Sequence, residues 1–493
     1  MAKPSALARK TIVGAAWTIA TGLGARAMGL IGTVLLTHYI APEVQGEVNG
    51  AQIAAYTAYF ASGLGVGQYI VANPETDRQL IFNATVYYMT ACLLAVGAVF
   101  FFREEIAGYL GAPGMVPYVS GCVVAVVLER LSYIPDRLMI RDMRFKEVGV
   151  RNTIGELTYT VSAVVLAMLG WGGNAIIAGM LLRALVRAVI TIPAVDWRDW
   201  LTPSPFSLSK AKKLFSFGIP LSLGSLANFG SQKWDNGVIL ALFGERTTGL
   251  YNLAWNLADI PASQVGERIG DVLVPSFSKL EPERRQGALV RAITMMSLLI
   301  FPLAVGLGVV APTLLRDTVF PPKWYEAGPL LAVLSALGVT RPIGWVIASY
   351  LQVHGKTRLI MVLEWLKVGA ILAGVWTLGK IGGPVWACAG VGAAFGLHAL
   401  VSMALVKRIS GVSYLTLVRP LLRPLLACAP LVAAVLAVRY GFARFEELPR
   451  GTRISVEILT GGIAFVLAAL AIAPQASREF IGLLRGVLRR GRS

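Results

Sequence analysis

The chain has 493 residues, 56% of them hydrophobic and only 15% charged, with a mean hydropathy of +0.66. A soluble chain of this length would carry about 25% charged residues, so a water-soluble globular protein is excluded and an all-α polytopic membrane protein with little soluble material is expected. The formal charge of +18 does not point to nucleic acid, because the basic residues lie in short segments between apolar runs.

About 20 apolar residues span a bilayer, which gives about fourteen transmembrane helices. In chain order they are expected at 12–40, 44–70, 80–102, 114–135, 150–171, 173–194, 213–243, 248–273, 288–312, 326–352, 357–379, 383–406, 414–438 and 454–473. The first run, beginning near Thr11, is longer than a signal-peptide core of about 7–15 residues, so no cleavable leader is expected. Gly22-Leu23-Gly24 and Gly63-Leu64-Gly65-Val66-Gly67 permit close helix contact or bending. Pro220, Pro261, Pro302 and Pro342 are candidate kinks. Four cysteines, Cys92, Cys122, Cys388 and Cys428, lie singly inside apolar runs. They form no CxxC pair and no metal spacing, so packed, reduced thiols and no metal or other cofactor are expected.

The lysines and arginines orient the helices. One side of the membrane collects the N-terminus, Arg78, the loop from Arg130 to Arg151, Arg183 to Lys213, Arg268 to Arg291, Lys356 with Arg358, Lys407 to Arg423, and the tail from Arg478. The other side holds Arg103, Arg246, Arg316, Lys323, Lys380, Arg439, Arg444, Arg450 and Arg453. The positive-inside rule then places both termini in the cytoplasm, against one dissenting basic loop from Arg439 to Arg453. Asp196 to Lys213, with Trp197 and Trp200, and the amphipathic basic tail from Arg478 read as interfacial segments for an anionic leaflet. Trp324-Tyr325 and Trp345-Tyr350 read as interfacial aromatics and wall residues.

The stretch from Lys212 to Leu273 reads as two apolar helices joined by a polar turn at Glu245-Arg246-Thr247-Thr248. Asn228, Gln232, Lys233, Asp235, Asn256 and Asp259 lie within those helices. A lipid-facing charge at mid-membrane costs at least about 2.5–3.5 kcal/mol, so Lys233, Asp235 and Asp259 are expected to face one another or a wet cavity. Gly46-Glu47-Val48-Asn49-Gly50-Ala51 matches Gly249-Leu250-Tyr251-Asn252-Leu253-Ala254 at an equivalent place in the helix order, which suggests an internal duplication of about 200 residues.

The ionisable residues expected within spans are Arg26, Glu156, Lys233, Asp235, Asp259, Arg341, Glu364 and Lys367. Glu364 and Lys367 share a helix face at i and i+3 and can pair, either as a structural ion pair or as part of a cavity. Arg26, Lys233, Arg341 and Lys367 are cations suited to an anionic substrate. Asp235 and Asp259 either carry a coupling ion or neutralise Lys233, and Glu156 and Glu364 are further cavity counter-charges. The three histidines, His38, His354 and His398, form no metal motif, and there is no GxSxG and no P-loop, so no catalytic residues are assigned and an enzyme is not expected.

Ala16-Trp17, Gly29-Leu30, the run Leu36-Thr37-His38-Tyr39-Ile40-Ala41-Pro42-Glu43-Val44-Gln45-Gly46, and Ser62-Gly63-Leu64-Gly65 resemble the entry signature of polysaccharide flippases. These are the Wzx-type members of the superfamily that also holds lipid II flippases and multidrug-extruding MATE transporters. Gly249-Leu250-Tyr251-Asn252-Leu253-Ala254 and Phe320-Pro321-Pro322-Lys323-Trp324-Tyr325-Glu326-Ala327 fit the family's second half, and the similarity covers almost the whole chain. His38 stands where Arg or Lys is common, so it is given no binding role.

The resemblance implies two pseudo-symmetric six-helix lobes, 1–195 and 213–410, around a central cavity. The interfacial linker 196–212 joins them, and two further helices in 411–475 and the basic tail 476–493 follow. It implies a multi-pass protein of the bacterial inner membrane that moves an undecaprenyl-pyrophosphate-linked oligosaccharide by alternating access, with Arg26 and Lys233 the best-matched substrate residues. The implied partners are that lipid-linked oligosaccharide, membrane lipids, an H+ or Na+ coupling ion, and polysaccharide polymerase and export machinery. The competing readings are an ion-coupled multidrug exporter on the same fold and a membrane polysaccharide polymerase or ligase.

Overall fold

The computed structural model describes residues 24, 28–73, 75–261, 273–274, 276–442, 449 and 451–490, with the side chains of 483–490 excepted. Arg26 lies outside the described residues. Those described form helices and short connections, with no strand among them. Eight helices among them are long and apolar enough to cross a membrane, and the protein is a polytopic membrane protein. One of the eight, Thr357–Ser410, has 54 residues. At about 1.5 Å per residue that is far more than a hydrocarbon core of about 30 Å requires. It breaks at Gly382-Gly383, with Gly383 at φ +77°, where a residue with a Cβ would be strained, so this run supplies two spans. The break lies where spans 357–379 and 383–406 were expected to meet.

The chain divides into two compact units, Met1–Gly249 and Leu250–Ser493. The first contains helices Met28–Tyr39, Pro42–Ala61, Val66–Ala72, Arg78–Phe101, Arg103–Tyr109, Val116–Leu131, Tyr133–Arg141, Phe145–Met168 and Gly173–Thr191. It also contains most of Leu208–Pro261, which is interrupted at Gly244 (φ +77°). The polar turn expected at 245–248 is therefore a single-residue break one position earlier. Helix continues on both sides of it, and the Thr248 hydroxyl donates to the Gly244 carbonyl at 2.9 Å.

The expected span 44–70 also divides. Its first helix ends at Ala61, and the chain turns through Leu64 and Gly65, both at positive φ, before Val66–Ala72. Gly65 is obligatory there, because a Cβ would lie 2.1 Å from the Gly218 carbonyl oxygen. The core of this unit is a layer of small and branched side chains, among them Val48, Ala51, Ala125, Ala163 and Ala175. A second cluster around Tyr88, Ile134 and Leu214 includes Trp200. Trp200 is thus a packed core residue and not an interfacial one, whereas Trp197 is exposed.

The second unit contains Pro282–Asp317, Ala327–Leu337, Arg341–Val353, Thr357–Ser410, Tyr414–Phe442, Thr452–Ile472 and Pro474–Arg490. Pro302 lies inside a continuous helix. Pro342 opens the helix Arg341–Val353 after a 3-10 turn at Gly338–Thr340, a position that tolerates the missing N–H. The two halves of Thr357–Ser410 touch at Gly374 and Gly390, where a Cβ on Gly374 would lie 2.8 Å from the Gly390 carbonyl oxygen. Such close backbone approach holds helices together in a medium that gives no hydrophobic drive. Trp324, expected as an interfacial aromatic, is buried, as is Tyr350. All four cysteines are buried and free.

Candidate functional site

Within the first unit, three helices bring charged side chains together. Glu129 comes from Val116–Leu131, Glu156 from Phe145–Met168, and Arg183 and Arg187, one helical turn apart, from Gly173–Thr191. Arg183 lies 3.3 Å from Glu129 and 3.7 Å from Glu156, and Arg187 lies 3.9 Å from Glu156. The Tyr56 hydroxyl donates to Glu129 at 3.2 Å and accepts from Arg183 at 3.3 Å. The Nε atoms of Arg183 and Arg187 are buried and have no hydrogen-bond partner among the described residues. Burying a guanidinium is tolerable when it is paired, but each unused donor still favours an incoming acceptor.

Asp235 is fully buried in the same unit. Its Oδ1 accepts from the Asn236 backbone N–H at 2.8 Å and side chain at 2.9 Å, and the Asn236 side chain accepts from Asn49 at 2.9 Å. Asn49 belongs to the first copy of the duplicated motif. Lys233 is half-buried two residues earlier, about 200° away round the helix, between the exposed Gln232 and Trp234. The Trp234 indole donates to Thr57 at 3.0 Å.

The second unit has a comparable set. The Arg341 Nη2 donates to Asp259 at 2.6 Å, and its guanidinium lies 4.7 Å from the Trp255 ring centre and 4.9 Å from that of Phe395. Lys367 pairs with Glu364 at 2.5 Å and lies 5.9 Å from the same Phe395 ring. Arg341 Nε is buried without a hydrogen-bond partner among the described residues. His398 is buried nearby and would lie 3.0 Å from a Cβ at Gly344. Each unit thus holds two cations against two carboxylates, with aromatic rings completing the cations' surroundings.

Of the eight residues singled out in the sequence, Arg341 and Asp259 meet directly, as do Glu364 and Lys367. Glu156 meets two arginines that fall inside the expected span 173–194 but were counted with the cytoplasmic basic residues. That count is corrected: Arg183 and Arg187 lie within the helix Gly173–Thr191. Arg130, buried, stacks 3.6 Å from the Tyr59 ring centre and 4.2 Å from that of Tyr88. Arg151 pairs with Asp136 at 2.5 Å between two helices and is likewise not in a loop. Arg439, counted in the outer loop, lies in helix Tyr414–Phe442 and pairs with the buried Glu457 at 3.1 Å. The signal was present in the text of the sequence: Ala175 to Ile190 is apolar apart from Arg183 and Arg187. Among the described residues no cluster of metal-binding side chains occurs.

The family model described as "Polysaccharide biosynthesis protein" matches residues 39–329. The chain is 24% identical over 421 residues to the lipopolysaccharide biosynthesis protein WzxC of Escherichia coli, covering 84% of this chain and 82% of the relative. It is 25% identical over 444 residues to the succinoglycan biosynthesis transport protein ExoT of Rhizobium meliloti, covering 88% and 86%. Among solved structures it resembles the lipid II flippase MurJ in an inward closed conformation, with a TM-score of 0.77, 13% identity, and coverage of 92% of this chain and 98% of the other. It also resembles an inward-facing multidrug resistance MATE transporter, with a TM-score of 0.60, 15% identity, and coverage of 78% and 96%. The fold is therefore the one shared by those two groups. The family match extends over more than half of the residues, and the chain belongs to the polysaccharide biosynthesis protein family.

Proposed function

We propose that the protein is a flippase that carries an undecaprenyl-pyrophosphate-linked oligosaccharide across the bacterial inner membrane by alternating access, for exopolysaccharide or lipopolysaccharide assembly. The observation that carries this reading is the pairing, inside each unit, of two cations with two carboxylates while arginine Nε donors remain unused. A pyrophosphate supplies several anionic oxygens, and charge-assisted bonds to arginine are the strong ones. Within each unit taken by itself the carboxylates, Glu129 and Glu156 in the first and Asp259 and Glu364 in the second, neutralise the cations. An arriving pyrophosphate competes with them and leaves them free to hold a coupling cation. This exchange is the proposed route for coupling to an ion gradient.

Lys233, beside the buried Asp235, and Arg26 are proposed as further substrate contacts. Both termini are proposed to be cytoplasmic, with polymerase and export machinery as partners. The names of the similar proteins, one for lipopolysaccharide biosynthesis and one for succinoglycan biosynthesis transport, support the substrate class.

The test is binding of fluorescent undecaprenyl pyrophosphate to the purified full chain. Arg341→Gln and Arg187→Gln are expected to weaken binding about tenfold or more, in keeping with loss of one charge-assisted bond at about 1.5–3 kcal/mol. Asp259→Asn, which frees Arg341, is expected to bind at least as well as the wild type. Unchanged binding in both arginine variants would rule out both clusters as substrate contacts.

A further inference from the structure

In the Leu250–Ser493 unit, three helices line an open cleft of about 710 Å³ whose lining includes neither Arg341 nor Lys367. Its walls come from Pro282–Asp317, Tyr414–Phe442 and the start of Pro474–Arg490. That volume falls within the range of about 300–1,000 Å³ common for small-ligand sites. The wall carries Arg291, Arg419 and Arg423 against one acidic residue, Glu479. Glu479 pairs with Arg291. Arg419 and Arg423 are one turn apart and so share a helix face. Both are exposed and make no hydrogen bond or ion pair with any described residue.

The cleft sits where polar ends meet apolar spans. The helix Pro282–Asp317 opens on Glu283, Arg284 and Arg285 and turns apolar beyond Arg291. Leu415, Leu422 and Leu426, on the helix that carries both unpaired arginines, are exposed. The third wall belongs to a helix whose sequence sets Phe480, Ile481, Leu484 and Leu488 among Arg478, Arg485 and Arg489, the composition of a helix lying in a membrane interface.

We propose that this cleft binds the headgroup of an anionic phospholipid, with the phosphate between Arg419 and Arg423 and the acyl chains along the exposed leucines. Basic pockets between membrane helices are suited to such headgroups, and a guanidinium pair matches phosphate oxygens by geometry as well as charge. A soluble phosphate would use the arginines but not the leucines. The proposal is independent of the transport reading.

The full chain would be placed in nanodiscs of mixed phosphatidylglycerol and phosphatidylethanolamine, re-extracted in mild detergent, and its retained lipids quantified by mass spectrometry. Wild type is expected to enrich phosphatidylglycerol over the disc composition. The double variant Arg419→Gln/Arg423→Gln is expected to lose at least fivefold of that enrichment, and Arg419→Lys/Arg423→Lys, which keeps the charge but not the planar fork, to fall between the Gln variant and the wild type. A photoactivatable phosphatidylglycerol added to wild type should label peptides containing Met295 or Thr416, which needs no variant. Equal enrichment in wild type and the Gln variant, or labelling elsewhere, would overturn the proposal. So would release of the lipid by millimolar inorganic phosphate, which would make this a phosphate site, or by undecaprenyl pyrophosphate, which would make it part of the substrate path.

Discussion

Gly46 lies directly against Glu245: a Cβ at position 46 would be 1.9 Å from the Glu245 carbonyl oxygen, and a Cβ at Gly249 would be 1.9 Å from the carbonyl oxygen of Pro42. Gly46 and Gly249 open the two copies of the duplicated motif, and Pro42 and Glu245 each precede their glycine by four residues. Each glycine therefore packs reciprocally on the backbone one turn ahead of the other, within residues 42–249. This explains why the recurring residue is glycine, since any side chain would push the helices apart. Gly46→Ala and Gly249→Ala are each expected to destabilise the protein by about 1–3 kcal/mol or more, read as a lower melting temperature in detergent. Gly108→Ala, where nothing lies within 4 Å, is the matched control and should melt like the wild type.

The Arg341–Asp259 pair, nearly buried on the arginine side, separates a structural role from a binding one. Removing Arg341 alone strands a carboxylate and is expected to cost about 3–5 kcal/mol. Arg341→Ala with Asp259→Ala should recover much of that stability while transport remains lost. If the double variant regained both stability and transport, the pair would be a structural device only.

Arg187 and Arg130 should behave differently. Arg187 reaches Glu156 only at 3.9 Å, so Arg187→Gln is expected to insert normally while transport falls about tenfold or more. Arg130 is held between Tyr59 and Tyr88 and donates to the Ser62 hydroxyl at 3.1 Å. Arg130→Gln should lower the amount of inserted protein. Quantitative blotting of membranes alongside transport separates the two.

A pH-dependent contact lies outside the membrane spans. Asp77 caps helix Arg78–Phe101 by accepting from the Leu80 N–H at 3.0 Å, and its carboxylate pairs with Lys210. The hydrogen bond from Lys210 holds its carboxyl below the usual aspartate range. Because the folded-state value is depressed, the stabilisation is complete above the unfolded value of about 3.9 and is lost as pH falls through the folded value. Asp77→Ala should lower stability by about 1 kcal/mol at neutral pH, and the difference from wild type should vanish in strong acid. A difference that persisted there would mean that the carboxylate's charge is not the cause.

The sequence made the membrane class plain, because apolar runs about 20 residues long have no soluble use. The Gly382-Gly383 break was legible, since few other residues allow that turn. So was the pairing of Glu364 with Lys367, which is a matter of local helix spacing. Arg341 and Asp259 are far apart in sequence, and only tertiary packing brings them together. Arg183, Arg187 and Arg130 were misplaced for a related reason. Arg183 and Arg187 fall in the middle of the expected span 173–194, and Arg130 inside 114–135. The count of basic residues by side nevertheless took them as loop charges, because their partners Glu129, Glu156 and the tyrosines come from other helices that a single sequence does not place.

The most direct test uses the purified full chain in liposomes holding a fluorescent undecaprenyl-pyrophosphate oligosaccharide, with leaflet exchange followed with and without an imposed ion gradient. The expected result is exchange well above protein-free liposomes, reduced about tenfold or more in Lys233→Ala, Arg26→Ala and Arg187→Gln. Absence of exchange, with a cationic dye carried across instead, would contradict the account and make the protein an exporter.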